Sequence, residues 1–207
     1  MTTRRVLKEA AFRAWKTTIG AGYSKRRINT EGDLQAFFWQ NLRDEVGEDS
    51  RTIFVQPRVK LPGDGVNGKK TVVPDIVVCN SRSIIGVVEL KYGPRSRPNI
   101  KKDLDSLQVL AQLKLGSDVE IKNERFLGEG PAVRTQYSLA RDVLWVWAGV
   151  YCGDSGSYRP EDGTKKSFIC DARDDEFRRS FIALHAETSE NGPVDVFAKS
   201  WGKAALR

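Results

Sequence analysis

The residues best suited to chemistry in this sequence are two acids and one lysine that lie inside apolar segments. Asp75 is part of residues 71–79 (TVVPDIVVC), and Glu89 and Lys91 are part of residues 84–92 (IIGVVELKY). Both segments are rich in Val and Ile, which is typical of strands buried on both faces. Because burial of an unpaired charge costs several kcal/mol, such residues need a compensating partner. The pattern favours a functional site over strand residues that merely form salt bridges.

The spacing of these residues predicts that they meet on one side of a β-hairpin. Residues two apart on a strand share a face, so Glu89 and Lys91 project together, whereas Leu90 points the opposite way. If the hairpin turn centres on Arg82, Asp75 lies directly across from Glu89. Opposed β-carbons lie about 4.5–5.5 Å apart, and a slip of one residue would turn Asp75 to the wrong face.

Two carboxylates this close repel each other unless a cation lies between them. Oxygen-only ligands suit magnesium or manganese better than zinc. The cysteines do not support a zinc site or a disulfide framework, because Cys79, Cys152 and Cys170 are far apart in the sequence. The single histidine, His185, is interpreted as structural, since it has no nearby partner for catalysis or metal binding.

The Pro74-Asp75 pair, followed by Glu89-Leu90-Lys91, resembles the motif of the PD-(D/E)XK nuclease superfamily. The resemblance covers about residues 30–150 and identifies no subgroup. It implies an α/β fold with a restriction-endonuclease-like αβββαβ core, in which helices flank both faces of a mixed central sheet. It also implies that Asp75, Glu89 and the Leu90 backbone carbonyl bind Mg²⁺, with Mn²⁺ as a substitute. Lys91 would then position or activate the attacking water.

The resemblance extends less firmly to polar residues on the two helices that flank the hairpin. Many members of the superfamily place a catalytic glutamate on the helix before the first strand, and Glu31 matches that position. Gln35 lies one turn further on. Some members carry Gln-x-x-x-Tyr on the helix after the lysine, but here Gln108 is followed by Gln112. Gln35 and Gln108 are therefore candidates for nucleic-acid contacts only.

The charge of the chain is compatible with a nucleic-acid partner. Lys and Arg number 34 against 27 Asp and Glu, and the net charge is +7. A basic surface attracts phosphate backbones, although it also serves solubility alone. The basic residues expected to hold the backbone follow the hairpin closely: Arg95, Arg97, Lys101 and Lys102. Aromatic residues such as Tyr92, Trp145 and Trp147 are interpreted as core rather than as surfaces for base stacking.

Together these features predict a metal-dependent phosphodiesterase. We expect a DNA endonuclease of a defence, restriction or repair system, acting on DNA rather than RNA. The alternatives are a catalytically inactive nucleic-acid-binding module on the same fold, and an interaction protein that is basic only by composition. No motif that reads bases is evident. A homodimer with one site per strand is the arrangement that duplex cutting would use.

The 207 residues suit a single domain, 1–207, with the nuclease core at about 30–150. No apolar run approaches the ~18 residues that span a bilayer, and we expect a cytoplasmic protein that does not engage a membrane. Residues 117–137 read as an insertion, and residues 167–187 as a C-terminal addition. The helices and strands that the pattern predicts are as follows: helices 4–18, 31–46 (with Thr30 as N-cap), 99–115 and 172–187; strands 52–61, 71–79, 84–92, 143–152 and 167–170.

Overall fold

The fold is built around a mixed β-sheet, described here from a computed structural model. The described residues are 3–47, 51–96, 100–113, 116–122, 134–153, 177, 179–189 and 193–200. The helices are α1 (Thr3–Thr17), α2 (Glu31–Val46) and α3 (Ile100–Ala111), and a π-helical segment (Thr18–Tyr23) follows α1 directly. The strands are β1 (Thr52–Val55), β2 (Arg58–Lys60), β3 (Thr71–Val72), β4 (Ile76–Cys79), β5 (Ser83–Gly93), β6 (Asp118–Lys122), β7 (Arg134–Cys152), β8 (Phe181–Thr188) and β9 (Asp195–Ser200).

The sheet combines antiparallel and parallel pairs. Its main path runs β1-β4-β5-β7-β6-β2-β3, and β8 joins β7 to β9. The pairs β5–β7 and β7–β8 are parallel, and the other pairs are antiparallel. Parallel strands need a crossover connection, and α3 lies in the connection between β5 and β7. The expected α/β class with a mixed sheet is confirmed.

Helices cover both faces of the sheet, as the sequence predicts. On one face, α1 and α2 pack against β-strand residues that include Ile76, Val88 and Leu90. On the other face, α3 packs its leucines against residues that include Val77 and Val87. The alternation along β5 therefore places Val87 and Leu90 on opposite faces, as expected for a strand buried on both sides.

Helix α2 begins where its capping residues predict. The Thr30 hydroxyl accepts a hydrogen bond from the Asp33 backbone N–H at 3.0 Å, and the Asp33 carboxylate accepts one from the Thr30 N–H at 3.0 Å. This reciprocal pair is a capping box, which satisfies backbone donors that the first turn leaves free. Leu34, Phe38 and Leu42 form the buried stripe of the helix. The start of α2 is thus held firmly beside the sheet.

The chain stays helical beyond residue 18, where the predicted first helix ends. It continues as a π-helix, in which the Ser24 N–H donates to the Ile19 carbonyl at 2.8 Å. Gly22 is packed so tightly that a methyl group there would lie 2.6 Å from Cδ1 of Ile28. Single π-helical turns are frequent at functional sites. This one leads directly towards the N-terminus of α2.

Two predicted strands are interrupted. Residues 52–61 form β1 and β2, which are separated at Gln56 and Pro57, and Gln56 has a φ of +46°. Residues 71–79 form β3 and β4, with a break from residue 73 to residue 75. Proline lacks the N–H that a central strand needs, so both breaks have the same physical origin. The strand predicted at 143–152 is longer than expected, because β7 begins at Arg134.

Two predictions for the second half of the chain are wrong. Residues 181–187, expected at the end of a helix at 172–187, belong to strand β8, which lies between β7 and β9 and is buried over most of its length. Residues 117–137 are not simply an insertion, since β6 and the beginning of β7 belong to the sheet. The strand predicted at 167–170 lies outside the described residues. Among the described helices, none is long and apolar enough to cross a membrane.

Candidate active site

The hairpin formed by β4 and β5 has the register that the sequence predicts. Ile76 pairs with Val88 and Val77 pairs with Val87. A bulge after Val78 shifts the pairing only towards the turn, away from the acids. Strand pairing begins at Ile76, so Asp75 lies one residue before β4 and beside Glu89 on β5.

Asp75 is held by contacts with two other segments of the sheet. Its Oδ2 accepts a hydrogen bond from the Leu90 backbone N–H at 2.7 Å. The Glu89 side chain lies beside this carboxyl group and affects its pKa. The Asp75 backbone carbonyl accepts a hydrogen bond from the Gln56 N–H at 2.8 Å. Asp75 and Glu89 therefore converge, as the sequence predicts, and Glu89 is only 7% exposed.

Gln35 contacts Asp75 from helix α2. Its Nε2 lies 3.1 Å from the Asp75 carbonyl and 3.3 Å from Oδ1. The Gln35 residue is 9% exposed. The predicted contact of Gln35 with nucleic acid stays a prediction, and the structure places its amide against Asp75. The sequence signal for this contact was weak, because only the helix packing brings Gln35 to the hairpin.

Glu31 and Lys91 form an ion pair at the beginning of α2. Oε2 of Glu31 lies 3.4 Å from Nζ of Lys91 and accepts a hydrogen bond from the Tyr92 N–H at 3.1 Å. The side chains of Lys91 and Glu31 are 30% and 46% exposed. Exposed ion pairs contribute little to the free energy of unfolding, so the main effect of the Glu31–Lys91 pair is to orient the Lys91 ammonium group. The sequence placed Glu31 near the site but did not identify Lys91 as its partner.

The environment of Asp75 disfavours its charge. Burial raises the pKa of Asp75 above its ordinary value of 3.8, and the negative charge of Glu31 acts in the same direction. The Leu90 N–H, the Glu89 side chain and the Lys91 charge lower this pKa but do not cancel the effect of burial. Ionisation of Asp75 is costly because the group is buried and lies beside a second acid. A bound cation would lower this cost by offsetting the negative charge.

The donor atoms at this position fit a hard divalent cation. Asp75 and Glu89 offer carboxylate oxygens, and magnesium is commonly bound through one or two carboxylates while it keeps several waters. Within the described residues, no group of three or more His, Cys, Asp or Glu side chains is arranged to hold a metal ion. Glu31 is thus engaged with Lys91 rather than grouped with the other two acids. The role of the Leu90 carbonyl stays a prediction.

The predicted nucleic-acid contacts are only partly brought to the site. Arg95 is exposed, lies shortly after Lys91 on the chain and lines a cleft beside it. Arg97 lies outside the described residues, and Lys101 and Lys102 belong to the first turn of α3. Gln108 is half-buried on α3.

The site therefore joins two carboxylates, an ammonium group and a glutamine amide at the end of the sheet where β4 begins. This arrangement can hold a cation and orient a water molecule beside it. No family model, curated protein or solved structure matches this chain.

Proposed function

We propose that the protein is a magnesium-dependent nuclease with a restriction-endonuclease-like core. It hydrolyses phosphodiester bonds in nucleic acid, with DNA as the expected substrate and internal cleavage as the expected mode. Its reaction centre is formed by Asp75, Glu89 and Lys91, and Glu31 positions the lysine.

One observation carries this proposal. The carboxyl group of Asp75 lies beside the Glu89 side chain and accepts the Leu90 N–H at 2.7 Å, while Lys91 lies on the same strand as Glu89. Strand pairing between neutral side chains would stabilise a sheet better than a close pair of acids, of which Glu89 is buried and Asp75 half-buried. The cost of keeping these acids together is understandable if they bind a cation.

Each residue of the reaction centre has its own expected role. Asp75 and Glu89 would hold the cation, and Gln35 keeps the Asp75 carboxylate in place. When bound, a magnesium ion supplies positive charge that stabilises phosphate oxygens and favours ionisation of water. These acids meet magnesium's need for hard oxygen ligands, and the buried position of Glu89 limits competition from bulk water.

Lys91 would act on the water and the phosphate. Hydrolysis joins the water oxygen to phosphorus and breaks one P–O ester bond, while the water loses a proton and the leaving oxygen gains one. The ammonium group, oriented by Glu31 at 3.4 Å, can donate hydrogen bonds to the attacking oxygen or to a phosphate oxygen. Arg95 provides positive charge for the neighbouring backbone.

The test is a cleavage panel with supercoiled, linear, branched and single-stranded DNA and with RNA, each with magnesium and manganese. We expect cleavage of at least one substrate, its loss in EDTA, and a decrease of at least about 100-fold in Asp75→Ala and in Lys91→Ala. Asp118→Ala is the matched control, because Asp118 is exposed and lies on β6 opposite Ser138, towards the other end of the sheet. Undiminished cleavage in both site variants would contradict the proposal, and binding without any cleavage would indicate an inactive module.

A further inference from the structure

A large cleft opens directly beside the proposed reaction centre. Its volume is about 1210 Å³. Its walls come from the π-helical segment, the loop before α2, the end of β5 and the segment between β8 and β9. Small-molecule pockets usually measure about 300–1,000 Å³, so this cleft has room for more than one small ligand.

The cleft is continuous with the reaction centre through Tyr92. Tyr92 follows Lys91 on β5 and lines the cleft. Its backbone N–H donates to Oε2 of Glu31, the same oxygen that lies 3.4 Å from Lys91 Nζ. The side chains of Lys91 and Tyr92 point to opposite faces of β5, so a strand with its scissile phosphate at Lys91 would reach this cleft around the end of β5.

Two tyrosines form an aromatic wall in the cleft. The rings of Tyr23 and Tyr92 meet edge to face, with centroids 6.1 Å apart and an angle of 71°. The hydroxyl of Tyr92 donates to the Ile28 carbonyl at 3.1 Å, which fixes its ring. Both rings are half-buried and pack against the hydrophobic core, as the sequence interpretation of Tyr92 expects, and both also line the cleft. Aromatic rings of this kind are surfaces on which bases stack, whatever their sequence.

The charge of the cleft is suited to an anion. Among the described residues that line it, the charged ones are Arg26 and Arg95, and both are cationic. Burial raises the pKa of Tyr23 and of Tyr92, the charge of Asp33 raises that of Tyr92 further, and the nearby charge of Arg95 partly offsets the increase for both. Arg95 thus lies close to both hydroxyl groups, where it can pair with a phosphate beside a stacked base.

The backbone at Arg26 is also unusual. Its φ is +59°, in the left-handed region that favours glycine, and its N–H donates to the Tyr23 carbonyl at 2.8 Å. Strained residues of this kind are concentrated at binding and catalytic sites. The tight turn brings an arginine and a tyrosine of the same short segment to one cleft.

We propose that this cleft binds unpaired nucleotides of the substrate strand, so that the protein acts on single-stranded nucleic acid or at single-strand to duplex junctions. This inference rests on the proposed nuclease function. In a duplex the faces of the bases are already covered by their neighbours, so a base can stack on Tyr23 or Tyr92 only after it leaves the stack. The aromatic pair with its two arginines therefore selects unpaired nucleotides.

The experiment measures binding by fluorescence anisotropy in EDTA, so that no strand is cut. The probes are a labelled single-stranded oligonucleotide and a blunt duplex of the same sequence. We expect the full chain to bind the single strand at least about tenfold more tightly than the duplex. Tyr23→Leu should weaken single-strand binding by about tenfold or more and leave duplex binding within about twofold. Tyr23→Phe is the matched control and should retain the affinity, because it keeps the ring.

The charge contribution has its own pair of variants. Arg95→Gln should lower the dependence of log Kd on log salt by about 0.7 for the single strand, as expected for one lost phosphate contact. Arg82→Gln removes the same charge from an exposed position at the other end of β5 and should leave this slope unchanged. Melting curves identify any variant that fails to fold. If Tyr23→Leu fails to fold, Arg95→Gln still tests the proposal, because Arg95 is exposed and its substitution should not affect folding.

Several outcomes would overturn the inference. These are equal affinity for both probes, an equal loss of both affinities in Tyr23→Leu, or full competition by a mononucleotide at the oligonucleotide's own concentration. If metal-dependent cleavage persists while single-strand preference is absent, the cleft assignment fails alone. If the single-strand preference appears as expected but nothing is cut, the cleft assignment is supported and the nuclease proposal fails.

Discussion

The substitution Asp75→Asn should make the protein more stable and less active at the same time. Asn has nearly the same shape as Asp, and its oxygen can still accept the Leu90 N–H that Oδ2 accepts at 2.7 Å. Its NH2 group can donate to Glu89 but replaces the Oδ1 that accepts from Gln35 Nε2 at 3.3 Å, so that hydrogen bond is lost. What the substitution removes is a buried charge beside a second acid.

The size of the effect follows from the contacts at Asp75. Two like charges about 4 Å apart, at an effective dielectric constant of about 20, repel by about 4 kcal/mol. The variant loses about 1 kcal/mol of charge-assisted hydrogen bonding and the attraction of Lys91, which together reduce the gain. A net gain of about 1–2 kcal/mol in the free energy of unfolding remains, or roughly 2–8 °C in Tm for a chain of this size.

The sign of the pH dependence separates this explanation from a simple packing effect. The pKa of Asp75 is raised above 3.8, so the folded protein binds more protons than the unfolded chain just above that pH. The contribution of Asp75 to stability is therefore unfavourable at neutral pH, and it disappears as the pH falls towards 3.8. Because Asn does not titrate, the advantage of the variant should shrink on acidification.

The assay is urea unfolding followed by tryptophan fluorescence, with EDTA or with magnesium, at neutral and acidic pH. Magnesium at about 100 times its Kd should stabilise the wild-type protein by about 2.7 kcal/mol and should stabilise the variant much less. Cleavage by the variant should fall by at least about 100-fold. Asp118→Asn, at an exposed position, is the control. Our reasoning is refuted if Asp75→Asn is less stable than wild type in EDTA at neutral pH, or if the difference grows at acidic pH.

Two further substitutions test the positioning of the site and the packing beneath it. Gln35→Ala removes the amide that lies 3.1 Å from the Asp75 carbonyl. It should lower the cleavage rate by about 10–100-fold and raise the magnesium concentration needed for cleavage. Gln40→Ala, at an exposed position on the same helix, should change neither quantity. An unchanged magnesium titration would contradict the role of Gln35. Gly149→Ala places a methyl group against the buried indole of Trp147 and should lower the free energy of unfolding, measured in urea, by about 1–3 kcal/mol. Gly20→Ala adds its methyl group in open space and should not lower the free energy of unfolding. Equal effects of the two glycine substitutions would argue against tight packing at β7.

The parts of the structure that the sequence predicted are those governed by local rules. The start of α2 followed from Thr30 and Asp33, since a capping box involves only residues of the first turn. The register of β4 and β5 followed from the strand period and a short turn. The contacts of Gln35 with Asp75 and of Glu31 with Lys91 could not be predicted, because they depend on how α2 packs against the sheet.

Strand β8 shows how burial overrides local preference. Its sequence, FIALHAET, contains Ala, Leu and Glu, which favour helices, and the spacing suggested one. The segment is instead placed between β7 and β9, where nearly every side chain is buried. His185 is fully buried there, with Nδ1 2.6 Å from the Tyr151 hydroxyl and its ring stacked on Phe197 at 4.6 Å. The structural interpretation of this histidine agrees with that position.

Pro74 favours the contact of Asp75 with the Leu90 backbone. In the register that pairs Ile76 with Val88, continued pairing would bring residue 74 opposite Leu90. Proline keeps its carbonyl but has no N–H, so a pair between residues 74 and 90 could form at most one of its two hydrogen bonds. The pairing of β4 with β5 begins only at Ile76. Beyond that point the Leu90 N–H donates to the Asp75 side chain at 2.7 Å instead of to a strand partner. A proline directly before the acid thus weakens strand pairing at the position where a backbone donor of β5 anchors the carboxylate.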